Sequence, residues 1–279
     1  GNAAEARWLL GKIYLDTGDI LTAEKELQRA QELGWNADDV RPAQAIALLI
    51  QGKNDDVLKL EYEDLNPAAA SGLLASQALA QLARGQFDSA QELVKLALNK
   101  EPQSVEAKLA QAAIFVEQDD APAALPVIAE VIAAEPDNGR AWRLKGQAML
   151  RLQKFEDARN AFDQSITHSA EAFVFADRAA RSLINMQLQD YEAAQAEVIE
   201  LLELSPEDPT ANYIQGLLYF QEKKYRDAIT ALTLAVPAAK QFPLTLSSLG
   251  VSYLFENDVD LAAKFASQFF AVSPDNANG

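Results

Sequence analysis

Polar and apolar positions along this chain recur as a phrase. "KFEDARNAF" (154–162) and "KYRDAITAL" (224–232) both read lysine, aromatic, charge, aspartate, alanine, then alanine and a large apolar residue. "QFDSAQELV" (86–94) has the same shape. Small residues keep step with the phrase at Gly11, Ala45, Ala78, Ala112, Gly146, Ser182, Gly216 and Gly250, at intervals of 33 to 36. A second small series runs through Ala23, Val57, Ala90, Ala124, Ala158, Ala194, Ala228 and Ala262. Pro102, Pro136, Pro206 and Pro274 fall at multiples close to 34. Alternating β-branched runs are few, so strand signals are weak. The pattern predicts an all-α chain of repeated helix pairs, with small residues where two helices approach closely.

The period of about 34 residues matches the tetratricopeptide repeat, a helix–turn–helix unit. Eight repeats then begin at Ala4, Asp38, Ser71, Val105, Gly139, Phe175, Pro209 and Pro243. The expected fold is a single superhelical α-solenoid over residues 4–276. Glycine at position 15, in "TGD", "QGK" and "RGQ", suits the positive φ that ends a first helix. Asp19, Asp88 and Asp190 are placed to cap second helices. Proline at position 32 stops the second helix. Two places depart from the pattern. Repeat 2 has Asn54, Val57 and Glu61 where aromatic, alanine and apolar residues are usual, and "LNPAAAS" closes it early. "THSAEAF" adds two residues between repeats 5 and 6. Both read as loop drift or as a local change of superhelical pitch.

Composition narrows the chemistry. The chain has 279 residues, 49% of them hydrophobic, and a formal charge of −17. Such a field repels polyanions, so nucleic acid is a poor partner. No cysteine is present, which removes disulfides, thiolate metal sites and thiol nucleophiles while leaving the compartment open. His168 is the one histidine, which removes most zinc and triad chemistry. The charge-poor stretch 65–83 is broken by Asn66, Pro67, Ser71, Gln77 and Gln81, against a membrane span. "GNAAEARWLL" lacks a secretory signal. Both ends read as cut, and the apolar last helix, with Phe265, Phe269 and Phe270, is unlike a terminal cap; the expectation is a fragment of a longer chain.

No phosphate loop, zinc motif, nucleophile elbow or calcium loop is present. Asp38–Asp39, Asp55–Asp56 and Asp119–Asp120 lie at helix starts or turns, where they favour the positive end of a helix dipole. His168 reads as a loop or surface residue and Trp142 as packing. Neither an enzyme nor a cofactor is expected.

In tetratricopeptide proteins the first helices line a concave face, and the resemblance implies that positions 2, 5, 9, 12 and 13 point into it. Repeat 5 stands out there, with Arg140, Arg143, Gln147, Leu150 and Arg151. At 100° per residue, positions 140, 143, 147 and 151 share about 80° of arc. The stripe is either a solvated face paired with acids such as Glu106 or Glu117, or a clamp for a carboxylate or other anion. Arg178 and Arg181 would extend it. In repeat 7, Tyr213, Leu217 and Phe220 form an amphipathic stripe; Phe220 reads as core and Tyr213 as a partner contact. The cochaperone branch grips C-terminal carboxylates with lysine and asparagine at positions 5 and 9. Arg143 and Gln147 hold those slots in one repeat only, which speaks against a chaperone-tail adaptor.

Three stretches carry a more specific likeness: "AEARWLLGKIYLDTGDILTAEKELQRAQELG" (4–34), "ALLIQGKNDDVL" (47–58) and "ANYIQGLLYFQEKKYRDAITAL" (211–232). They resemble the tetratricopeptide lipoprotein of the PEP-CTERM/exosortase system, the PrsT family. That resemblance implies a periplasmic, outer-membrane-associated protein, lipid-anchored through a cysteine upstream of these residues. It implies association with exopolysaccharide production and surface-protein sorting, without catalysis. The function expected is a scaffold holding protein or peptide segments of envelope machinery. The alternative is direct binding of an anionic polysaccharide or carboxylate-bearing ligand by the groove arginines.

Overall fold

A computed structural model describes residues 2–273. Pro274 and the last positions of the expected array, through 276, lie outside them. The described residues form sixteen α-helices and two short 3-10 turns, in an all-α, tandem helix–turn–helix architecture. They fall into two compact units, divided in sequence between Val174 and Phe175.

In the first unit the hairpins are α1 (Asn2–Thr17) with α2 (Ile20–Glu32), α3 (Ala37–Ile50) with α4 (Asn54–Val57), and α5 (Pro67–Ala83) with α6 (Phe87–Lys100). They continue with α7 (Val105–Glu117) and α8 (Ala121–Ala134), then α9 (Gly139–Arg151) and α10 (Phe155–Thr167), followed by a 3-10 turn at Glu171–Phe173. The second unit holds α11 (Phe175–Gln187) with α12 (Tyr191–Leu204), α13 (Pro209–Gln221) with α14 (Tyr225–Ala235), and α15 (Leu244–Phe255) with α16 (Val259–Val272). Within each unit a first helix packs on its own partner and on the next first helix, as α3 does on α5 and α13 on α15. Within each unit the first helices therefore form a row.

The small-residue registers mark where paired helices touch. A Cβ added to Gly146 would lie 2.7 Å from the Phe162 ring, so the ring fills the place of a side chain. Ala158 and Ala228 are fully buried at the matching position of the second helix. Large side chains then close the core: Ile128 and Phe162 in the first unit, Leu201, Ile214 and Leu232 in the second. Each contributes about 1.5–3 kcal/mol by leaving water.

Helix ends follow the expected chemistry with one exception. Asp19 and Asp190 each accept the backbone N–H three residues on, from Thr22 and Ala193, both at 3.2 Å. Asp88 does not cap; α6 begins at Phe87, and Asp88 sits inside its first turn. Asp120 caps α8 through Ala123 N–H at 3.1 Å. Helices α6, α8 and α12 end two residues before Pro102, Pro136 and Pro206. Position 15 has positive φ in every repeat: Gly18, Gly52 and Gly85, but also Asp119, Gln153, Gln189, Lys223 and Asn257. The turn geometry is thus common to all eight, with or without glycine.

Repeat 2 is the irregular one. Its second helix is four residues long, and α5 starts at Pro67, ahead of the expected Ser71, because Asn66 caps it through Ala69 N–H at 2.9 Å. The segment 58–66 that replaces the helix is pinned by side chains. Gln77 donates to the carbonyls of Val57 (3.3 Å) and Leu60 (2.9 Å), and Arg41 donates to the Glu61 carbonyl (2.9 Å) and pairs with Asp64. Backbone groups that lost a helix have found substitutes.

Candidate functional site

The first helices of repeats 1 to 5 surround one open cavity of about 750 Å³. Its apolar wall is Trp8, Leu15, Ile46, Leu49, Ile50 and Leu79; its charged rim is Lys12, Asp16, Asp38, Asp39, Glu106, Arg140 and Arg143. Most of these occupy positions 2, 5, 9, 12 or 13 of their repeats, so the groove register holds across five hairpins. The cavity is closed on one side by the extra residues after α10, with His168, Ser169, Ala170 and Phe173 in its lining.

The arginine stripe of α9 divides. Arg140 and Arg143 line the cavity, whereas Gln147 and Arg151 do not. Arg140 donates to Glu106 at 2.7 Å, and Arg151 stands 3.8 Å from Asp119. Arg143 donates to the Phe173 carbonyl at 2.8 Å. The arginines that looked available are engaged within their own unit. Half-exposed pairs of this kind contribute about 0–1 kcal/mol, so a stronger anion could displace them.

Three residues expected at a partner surface are engaged within the second unit, two half-buried and one buried. Arg178 and Arg181 turn inward to Glu197, at 3.2 and 2.5 Å, and Arg178 also pairs with Glu200. The Glu197 side chain is only 6% exposed, and a buried carboxylate needs charge compensation. Tyr213 is 6% exposed and stacks on Phe242 with centroids 4.5 Å apart. Burial pushes its phenol above the ordinary value of 10. Tyr213 holds groove position 5 of its repeat, but the Phe242 ring covers it. Leu217 and Phe220 are half-buried and line a smaller cavity of about 530 Å³ with Leu244 and Val251.

Trp8 and Lys12 were not singled out from the sequence, although positions 5 and 9 of repeat 1 point to them. Lys12 Nζ lies 5.3 Å from the centroid of the Trp8 ring, which itself stacks on Trp35. Trp142 is half-buried, donates to the Pro136 carbonyl at 2.7 Å and carries Lys145 over its ring. His168 closes α10, with Nδ1 3.4 Å from Asp137. Among the described residues, no group of three or more His, Asp or Glu could hold a metal ion, and no helix is long and apolar enough to cross a membrane.

Comparison with known proteins agrees with this architecture. Residues 76–128, 109–172 and 179–243 match one form of the tetratricopeptide repeat, and residues 4–33 match another. The cytochrome c-type biogenesis protein CycH of Bradyrhizobium diazoefficiens is 32% identical over 126 residues, which are 41% of this chain and 32% of CycH. The chain thus spans about a third of that relative. Pseudomonas aeruginosa PilF has a similar structure, with a TM-score of 0.64 and 18% identity over 80% of this chain and 94% of its own. The type IV pilus biogenesis factor PilW gives 0.61 and 15% over 73% and 94%. At these identities the structural likeness speaks to the fold. With the family matched over more than half of its length, this chain belongs to the tetratricopeptide repeat proteins.

Proposed function

We propose that the chain is a non-catalytic scaffold that holds an extended protein segment in the cavity of residues 1–174. One observation carries the reading: groove positions of five successive repeats converge on a single cavity with an apolar wall and a charged rim. A groove formed in advance costs little ordering of the protein on binding, so affinity falls mainly on the partner's own entropy. The partner is a protein or peptide segment of bacterial envelope machinery. Support comes from the PrsT-like stretches and from the partial match to CycH, a cytochrome c biogenesis protein. In this reading the protein is periplasmic and tied to the outer membrane by a lipid-bearing cysteine outside residues 1–279, in an exopolysaccharide and surface-sorting system. The eight repeats form one array.

Anionic polysaccharide is the weaker alternative, because Arg140, Arg143 and Arg151 already have oxygen partners in the first unit. Capture from envelope extract, analysed for both protein and sugar, tests the reading. Ile50, exposed and lining the cavity, is changed to glutamate; Leu96, exposed and outside its lining, is changed likewise as control. The scaffold reading expects a protein partner lost with Ile50→Glu and kept with Leu96→Glu. A retained sugar whose binding weakens steeply with salt supports the alternative. Equal capture by both variants contradicts the cavity as the site.

A further inference from the structure

The residues added between repeats 5 and 6 do not hang from the surface. After α10 ends at Thr167, the chain turns at His168, bends at Ser169, is extended at Ala170 and coils into the 3-10 turn Glu171–Phe173. Two features hold it. The Arg143 guanidinium donates to the Phe173 carbonyl at 2.8 Å. At the far end of the same unit, Ala172 abuts the turn between α1 and α2. A Cβ built on Gly18 would lie 2.3 Å from the Ala172 Cβ and 3.9 Å from the Phe173 ring. Repeat 1 and the exit of repeat 5 therefore touch, beside a cavity that Asp16, Ala170 and Phe173 line.

Gly18 is unlike the other turn glycines in this respect. Gly52 and Gly85 share its positive φ, yet a Cβ at either would meet nothing within 4 Å. The backbone conformation alone does not account for the close fit at Gly18; the approach of Ala172 does. Near its root the segment is seated by a second close approach, since a Cβ on Gly139 would fall 2.2 Å from the Ser169 hydroxyl.

We propose that residues 169–173 are a strap that closes the cavity of residues 1–174, latched by Ala172 against Gly18 and by the Phe173 carbonyl on Arg143. The inference rests on the reading of that cavity as a partner site. Arg143 stands at groove position 5, so the strap's carbonyl takes the guanidinium that an incoming carbonyl or carboxylate would use. Entry of an extended segment then requires the strap to swing out, and the partner replaces the strap on Arg143. Its latch against repeat 1 is a small methyl against a glycine, and its tie to α9 includes the Arg143 hydrogen bond. Local opening of such a segment lies at the low end of the stability scale.

The test needs no partner, so its failure is distinct from failure of the scaffold reading. Gly18→Ala inserts a methyl where Ala172 sits. Gly85→Ala imposes the same backbone strain with no neighbour to displace. Hydrogen–deuterium exchange reads the amides of Phe173 and Val174, which donate to the Ala170 and Glu171 carbonyls. Cavity access is read by acrylamide quenching of Trp8 in a background carrying Trp35→Phe and Trp142→Phe. The strap predicts exchange faster by about tenfold or more and stronger quenching in Gly18→Ala only. It predicts recovery towards the parent in Gly18→Ala/Ala172→Gly. Should Gly18→Ala fold poorly by circular dichroism, Ala172→Val tests the same contact from the strap side. Unchanged exchange and quenching in the clashing variants overturn the proposal, as does an equal response in Gly85→Ala.

Discussion

Five turns hold a residue other than glycine in the left-handed region, and this sets up a sharp stability experiment. Gln153 (φ 56°), Gln189 (φ 63°) and Lys223 (φ 61°) carry a Cβ there. The conformation costs an L-residue about 1–2 kcal/mol. Replacement by glycine removes that strain but restores about 0.5–1 kcal/mol of chain entropy to the unfolded state. The net expectation for Gln153→Gly or Lys223→Gly is a gain of about 0.5–1 kcal/mol. Asn257 (φ 62°) is the internal control, since asparagine enters this region at lower cost and its replacement gains close to nothing. The reverse change, Gly85→Ala, costs about 1 kcal/mol through backbone strain, because its Cβ enters open space. Urea unfolding followed by circular dichroism gives the midpoints. Repeat arrays unfold in segments, so native-state hydrogen exchange at each turn should accompany it. Gln153 and Lys223 lie in separate units, and their effects should add. A gain from Asn257→Gly as large as from Lys223→Gly, or no loss from Gly85→Ala, refutes the assignment of cost to the turn conformation.

Other expectations follow from the ion pairs and the buried tyrosine. Glu197→Ala removes the carboxylate shared by Arg178 and Arg181 and should destabilise the second unit by about 2 kcal/mol, read by exchange protection in α11 and α12. Glu24 is held below its ordinary value of 4.5, chiefly by the Lys53 ammonium at 2.7 Å and also by the Gln51 amide. A depressed carboxyl stabilises above its ordinary range and loses that contribution as pH falls. The stability deficit of Glu24→Gln, under about 1 kcal/mol at pH 7, should therefore shrink at acid pH, measured by urea midpoints at each pH. Tyr213 has the opposite sense: burial favours the neutral phenol, so its contribution is lost as pH rises above the ordinary value of 10. Tyr213→Phe should soften the alkaline loss of the second unit, followed by absorbance at 295 nm and circular dichroism.

The repeat registers were the most readable part of this fold, because each small position answers to a hard steric limit. Gly146 faces a Phe162 ring and Ala158 is fully buried, so period and packing are the same fact. First helices begin at Val105, Gly139, Phe175 and Pro209, as the spacing predicts. The cavity was legible only in outline. Arg140 and Arg143 are at its rim, but a helix wheel cannot tell that Arg178 and Arg181 bend back to Glu197. Nor can it show that Phe242, from a later connection, covers Tyr213. Trp8 and Lys12 lay within reach of the same register and were overshadowed by the arginines. The strap was visible only as two extra residues; its contact with Gly18 joins segments far apart in the chain, which local pattern does not encode.

The most direct measurement is site-specific photocrosslinking of the whole chain in envelope extract, with the probe placed in turn at Ile50, Lys12 and Leu96. Scaffold binding in the cavity predicts a protein crosslinked from Ile50 and Lys12, and not from Leu96, with the captured peptide identified by mass spectrometry. Crosslinks of equal yield from Leu96, or none from either cavity position while the partner is still retained, would contradict it.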